Sequence, residues 1–107
     1  MKSNFIDGRI RYVILPESIS NFNDVDIAID QIKLKYDVDI KEKIEGLDTN
    51  WIVACINKQY EICVRYHDLV GLTIYAENEQ SNAIVTEIAN YLSKEVFNER
   101  EDMGYKP

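Results

Sequence analysis

The sequence predicts an α+β fold: a single domain with a mostly antiparallel sheet and two helices on one face, in the order strand, helix, four strands, helix. Three observations carry that prediction. The stretch Trp51 to Ala76, WIVACINKQYEICVRYHDLVGLTIYA, holds three runs rich in Val, Ile, Tyr and Trp. Their breaks, at Asn57-Lys58-Gln59 and at His67-Asp68-Leu69-Val70-Gly71, are too short for crossover helices, so the strands form a meander. Apolar residues recur at helical spacing before and after it, and 107 residues suit one two-layer domain with one core.

Arg9 to Leu15 alternates, with Ile10, Tyr12 and Ile14 set against Arg11 and Val13, until Pro16 stops it. This is a first strand, at an edge or paired to the meander from outside. Residues 1–8 read as a lead-in expected to fray. From Phe22 onward two patterns overlap: Val25, Ala28, Ile29, Ile32 and Tyr36 recur at helical spacing, while Ile32, Leu34, Tyr36, Val38 and Ile40 alternate as in a strand. Asn21 or Asn23 as N-cap, Asp24 and Asp26 in the first turn, and Lys33 and Lys35 in the last favour a helix over about Phe22–Lys35. A strand over about Val38–Glu45 follows. Glu42 falls on its inner side with Val38, Ile40 and Ile44, so either a bulge turns it out or its carboxylate finds an inner partner. Gly46 to Asn50 has the chemistry of a loop.

In the meander, Tyr60, Ile62, Val64 and Tyr66 face the core with Leu72, Ile74 and Ala76, leaving Glu61, Cys63, Arg65, His67, Thr73 and Tyr75 on the other face. The run Trp51–Ile56 is apolar on both sides, so the turn after it decides its register. A two-residue turn, the expectation here, sends Trp51, Val53 and Cys55 inward; a three-residue turn exchanges them for Ile52, Ala54 and Ile56. The last helix starts near Glu77–Ser81 with Asn78 as N-cap, and its stripe is Ile84, Ile88, Tyr91, Leu92 and Val96. Residues 98–107 read as a second fraying tail that stability does not need.

With 46% hydrophobic and 29% charged residues, the chain has the composition of a globular protein. No apolar run reaches the roughly 20 residues of a membrane span, and the first residues lack a signal-peptide pattern, so a cytoplasmic location and no membrane partner are expected. The two cysteines, Cys55 and Cys63, then read as reduced thiols, although adjacent strands would also permit a disulfide. The net charge of −7 disfavours nucleic acid as a partner. Charge is uneven: residues 1–16 hold Lys2, Arg9 and Arg11 against Asp7, whereas residues 77–102 hold seven acids against Lys94 and Arg100.

No catalytic motif, metal pattern or cofactor motif stands out, and no enzymatic activity is expected. His67-Asp68 suggests a base with its orienting acid, but Cys63 lies about 13 Å from His67 on a regular strand. The acid pairs Asp24/Asp26, Asp37/Asp39 and Glu77/Glu79 read as solvated surface. The uncovered sheet face is more informative. On the expected register it carries Ile52, Ala54, Ile56, Cys63, Thr73 and Tyr75 beside Glu61 and Arg65. Either the N-terminal segment, with Phe5, Ile6 and Ile10, folds over this face, or it meets another protein.

A compact acidic domain with tyrosine-rich strands and a final amphipathic helix resembles the immunity proteins of bacterial contact-dependent or polymorphic toxin systems, in size, charge and element order. The resemblance implies one-to-one binding to a cognate, basic toxin domain. Candidate contacts, chosen from charge and face, are Asp24, Asp26 and Asp30 on the first helix, Glu77 and Glu79 at the start of the last, and Arg65 and Tyr75 on the open face. A second resemblance is to acidic secretion chaperones, which implies a homodimer holding an extended export substrate, although those begin with a helix and this chain with a strand.

Overall fold

The computed structural model describes residues 1–100. Six strands, β1 (Lys2–Ile6), β2 (Arg9–Leu15), β3 (Val38–Glu45), β4 (Thr49–Ile56), β5 (Tyr60–His67) and β6 (Gly71–Ala76), form one antiparallel sheet. Their spatial order is β1-β2-β6-β5-β4-β3. Helix α1 (Asp24–Lys33) carries the chain from β2 to the far edge at β3 and packs on β4 and β5. Helix α2 (Asn82–Tyr91) packs on β2 and β6, after a 3-10 turn at Glu79–Ser81 capped by Asn78, whose side chain accepts the Ser81 N–H. The fold is the expected α+β sandwich, with one strand more than the pattern of apolar residues suggested.

That extra strand is β1. Asp7 and Gly8, both at positive φ (52° and 77°), make the two-residue turn that suits the twist of a hairpin, and Lys2 to Ile6 pairs with β2 from Lys2↔Val13 to Ile6↔Arg9. The N-terminal segment is therefore neither a loose lead-in nor a cover for the open face. Phe5 is 66% exposed on the edge strand, whereas Ile10 belongs to the core.

The core lies between the layers. Ile14, Leu15, Ile52, Ile56, Ile62, Val64, Leu72 and Ile74 of the sheet meet Val25, Ile29 and Ile32 of α1, Val85 and Ile88 of α2, and Leu92 just past it. Tyrosine hydroxyls add polar ties at the margins: Tyr12 of β2 to Thr86 of α2 (2.9 Å), and Tyr36, in the connection between α1 and β3, donating to Glu87 of α2 (2.6 Å). Burial first, then the carboxylate it serves, pushes the Tyr36 phenol up to about 12, so the donor stays protonated.

Two corrections concern register. Asn57 and Lys58 both adopt positive φ (53° and 61°), and Ile56 stands opposite Tyr60, so three residues connect β4 to β5 rather than two. Asn57 is held there by its own N–H to the Asp37 carbonyl (2.8 Å) and by its side chain accepting the Asp37 N–H (3.1 Å). One residue of slip reverses the whole strand. Ile52, Ala54 and Ile56 are buried in the core, and Trp51, Val53 and Cys55 lie half-buried on the opposite face. In β3 the register shifts between Ile40 and Glu42, a bulge that settles the inward Glu42 by turning it out, opposite Val53. It takes Ile44 outward as well, opposite Trp51.

The C-terminal end is also more than a tail. Leu92–Val96 winds as a π-helix closed by Phe97 N–H to the Leu92 carbonyl (2.9 Å), which buries Phe97 and brings Arg100 to α1. There Arg100 Nη1 donates to Asp24 Oδ2, which also accepts the Asn21 N–H (2.8 Å). Asp24 is 0% exposed, so it is not a surface acid. Residues 101–107 of the expected fraying segment lie outside the described residues.

Two predictions follow from these contacts. Arg100→Ala is expected to lower stability by about 2–3 kcal/mol in equilibrium urea denaturation, because it leaves a buried carboxylate without its cation. Asp24→Asn should lose less, since the buried group is then neutral. Equal, negligible losses would mean that Arg100 does not hold α1. For the cysteines, both free, Cys63 is buried and Cys55 half-buried. Cys63→Ser should therefore destabilise more than Cys55→Ser, by about 1–3 kcal/mol, and a maleimide should label Cys55 in the folded protein but Cys63 only after denaturation.

Candidate functional site

The face without helices is built by the strand register. Across its middle stand Asn4, Arg11, Tyr75, Cys63, Val53 and Glu42, one from each strand. The adjoining row is Lys2, Val13, Thr73, Arg65, Trp51 and Ile44. On the other side of the middle row Glu61 opposes Cys55, and Glu77, just past β6, donates its N–H to the Glu61 carbonyl (3.1 Å).

These side chains enclose a shallow depression of about 370 Å³ lined by Glu42, Trp51, Val53, Glu61, Arg65, Tyr75 and Glu77. Trp51, Val53 and Tyr75 give it an apolar and aromatic part among four charged side chains, and the Arg65 guanidinium lies 5.5 Å over the Trp51 ring. Two smaller hollows continue it toward Arg9 and Arg11 and toward His67 and Val70. A hollow of about 450 Å³ beside Phe97 borders Arg100, the last described residue, and is no basis for a site.

Charge on this face is mixed. Glu42, Glu61, Glu77 and Arg65 line the depression, and Arg9 and Arg11 lie beside it, Arg9 near enough to act on Glu77. Among the described residues none of these six takes part in an ion pair. Arg65 Nε is buried without a hydrogen-bond partner among them. Burial, more than any neighbour, raises the Glu77 carboxyl above the usual carboxylate range; Arg9 works against the shift, and Glu61 and Glu42 add to it. Burial likewise pushes the Cys63 thiol up to about 12, against a smaller lowering by Tyr75, which leaves it a thiol at neutral pH rather than a nucleophile.

Of the residues singled out from the sequence, Arg65, Tyr75 and Glu77 come together here. Glu79 is exposed at the neighbouring corner, its carboxylate packed over Gly8 where any side chain would collide with it. Asp24, Asp26 and Asp30 belong to α1, in the other layer: Asp24 is buried, Asp26 pairs with Lys43 (2.9 Å) and Asp30 is exposed. Trp51, Val53, Glu42, Arg9 and Arg11 join the site without having been singled out. Arg11 was legible from β2 alternation; Trp51 and Val53 were hidden by the two-residue turn.

Only one group of side chains has metal-ligand chemistry among the described residues. Asp48, His67 and Asp68 bring their ligand atoms within 4.8 Å of one another. His67 Nδ1 accepts the Leu69 N–H (3.1 Å) and lies 3.3 Å from Asp68, while Nε2 faces Asp48 at 4.0 Å. The ring is thus engaged in its own turn, with two exposed carboxylates beside it.

A carboxyl raised by burial is favoured by folding in its protonated form, so ionising Glu77 opposes folding above the ordinary carboxylate pKa of about 4 and ceases to do so below it. Glu77→Gln should accordingly raise the thermal midpoint at neutral pH, and the gain should shrink as the pH falls through the raised carboxylate range. A lower midpoint for the variant at neutral pH would show instead that the charge is held by a favourable partner. Compared with family models, curated proteins and solved structures, the chain matches none.

Proposed function

We propose that this chain is a non-enzymatic protein-binding domain that holds one protein partner against the open face of its sheet, as an immunity-type inhibitor of a basic toxin domain. The observation that carries the reading is the set of Trp51, Val53, Arg65 and Tyr75 in one depression with the carboxylates of Glu42, Glu61 and Glu77, which form no ion pair among the described residues. Half-buried aromatics and Arg are the side chains that supply binding energy when a partner removes the remaining water. Three carboxylates that form no ion pair among the described residues favour a basic patch opposite them, and the net charge of −7 steers such a partner from a distance. Asp26, already bound to Lys43, and Asp30, on the opposite layer, add to the long-range field and not to the contact.

Kinetics separate these roles, because exposed charge acts on association and a desolvated anchor on dissociation. The measurement is surface-bound kinetics against the product of the adjacent gene, at two salt concentrations. Trp51→Ala and Tyr75→Ala are each expected to speed dissociation by about 30-fold, the equivalent of a 2 kcal/mol anchor. Glu61→Lys should slow association in a salt-dependent way, and Asp30→Lys should do so more weakly. Dissociation that ignores both aromatic variants but responds to Asp30→Lys would move the contact to the helical layer and overturn the reading.

A further inference from the structure

The two edges of the sheet are unlike. β3 is bulged at Lys41 and carries Asp39, Lys41, Glu42, Lys43 and Glu45, the irregularity and charge that keep an edge from pairing. β1 has neither bulge nor proline, only one charged residue, Lys2, and it exposes Phe5 and Ile6. The Asp7-Gly8 turn makes Ile6↔Arg9 the hydrogen-bonded pair nearest the loop, so by alternation Asn4↔Arg11 and Lys2↔Val13 are bonded too. The N–H and C=O groups of Ser3 and Phe5 therefore point away from β2, outward from the last strand of the sheet.

We propose that β1 pairs with β1 of a second copy of this chain, antiparallel about a two-fold axis at Asn4, joining the two sheets edge to edge. In that register the outward groups of Ser3 and Phe5 bond those of Phe5 and Ser3 in the other copy, so every unpaired donor and acceptor of the strand interior is used. The side chains agree with it. Phe5 faces the small Ser3 of the mate, and Ile6 lies against the aliphatic stem of Lys2. Lys2 never meets its own copy and stands one residue from the mate's Asp7, so opposite charges meet at both ends of the pairing. Such self-complementarity is what a two-fold interface demands. The pairing is independent of the proposed partner contact, because it leaves both open faces free.

Two chains of net charge −7 repel each other, so this association should be weak and should tighten with salt, the opposite of the salt response expected for a basic partner. Sedimentation equilibrium of the full chain over a wide concentration range, at two salt concentrations, tests it. A concentration-dependent monomer–dimer equilibrium is expected, and Ser3→Pro and Phe5→Lys should each weaken it at least tenfold. Ser3→Pro removes only an outward N–H and spares the β1–β2 ladder. Should Ser3→Pro lower the thermal midpoint, Phe5→Lys, which keeps every backbone donor, decides alone. A wild-type chain that stays monomeric at all concentrations, or a dimer indifferent to Phe5→Lys, overturns the proposal.

Discussion

The connection Asn57-Lys58-Gln59 is the constraint on which the character of both sheet faces depends. β4 is apolar at every position from Trp51 to Ile56, so hydrophobic burial alone does not choose which half of it enters the core. The turn does. With Ile56 opposite Tyr60, the smaller, branched set of Ile52, Ala54 and Ile56 packs under α1, and Trp51 with Val53 is left on the open side. Two non-glycine residues at positive φ make this turn, a conformation disfavoured for Lys58 and tolerated by Asn57, whose bonds to Asp37 hold it in place.

From that one register the rest of the site follows. Trp51 reaches Arg65 on β5, and Val53, Cys63 and Tyr75 stand side by side across β4, β5 and β6. The β3 bulge then rotates Glu42 toward Glu61 and Glu77, so a device that protects an edge strand also completes an acidic rim. The helical layer contributes rigidity: α1 is tied to the C-terminal end through Asp24 and Arg100, and α2 to the sheet through Tyr12 and to the α1–β3 connection through Tyr36.

What could be read from the sequence depended on whether polar residues alternate with apolar ones. β5 and β6 were legible because Glu61, Arg65 and Thr73 mark the outer side, and the stripe of α2 was legible for the same reason. β4 carries no such marks. β1 was overlooked because it buries none of its residues, although Asp7-Gly8 signalled its hairpin. Asp24 looked like one more acid favoured by the helix dipole; its partner lies 76 residues away, beyond the reach of any local pattern. Of the site, Arg65 and Tyr75 were found from alternation and Glu77 from charge, while the acids of α1, also chosen on charge, lie in the other layer.

Trp51 and Ile52 are chain neighbours that the turn sends to opposite faces, and their truncation tests the register most directly. In equilibrium urea denaturation Ile52→Ala is expected to cost about 2–5 kcal/mol, as a cavity in the core does. Trp51→Ala should cost no more than about 1 kcal/mol, the scale of a lost cation–π contact at a partly exposed site. A large loss for Trp51→Ala with a small one for Ile52→Ala would place Trp51 in the core and remove the open face on which the proposed binding function rests.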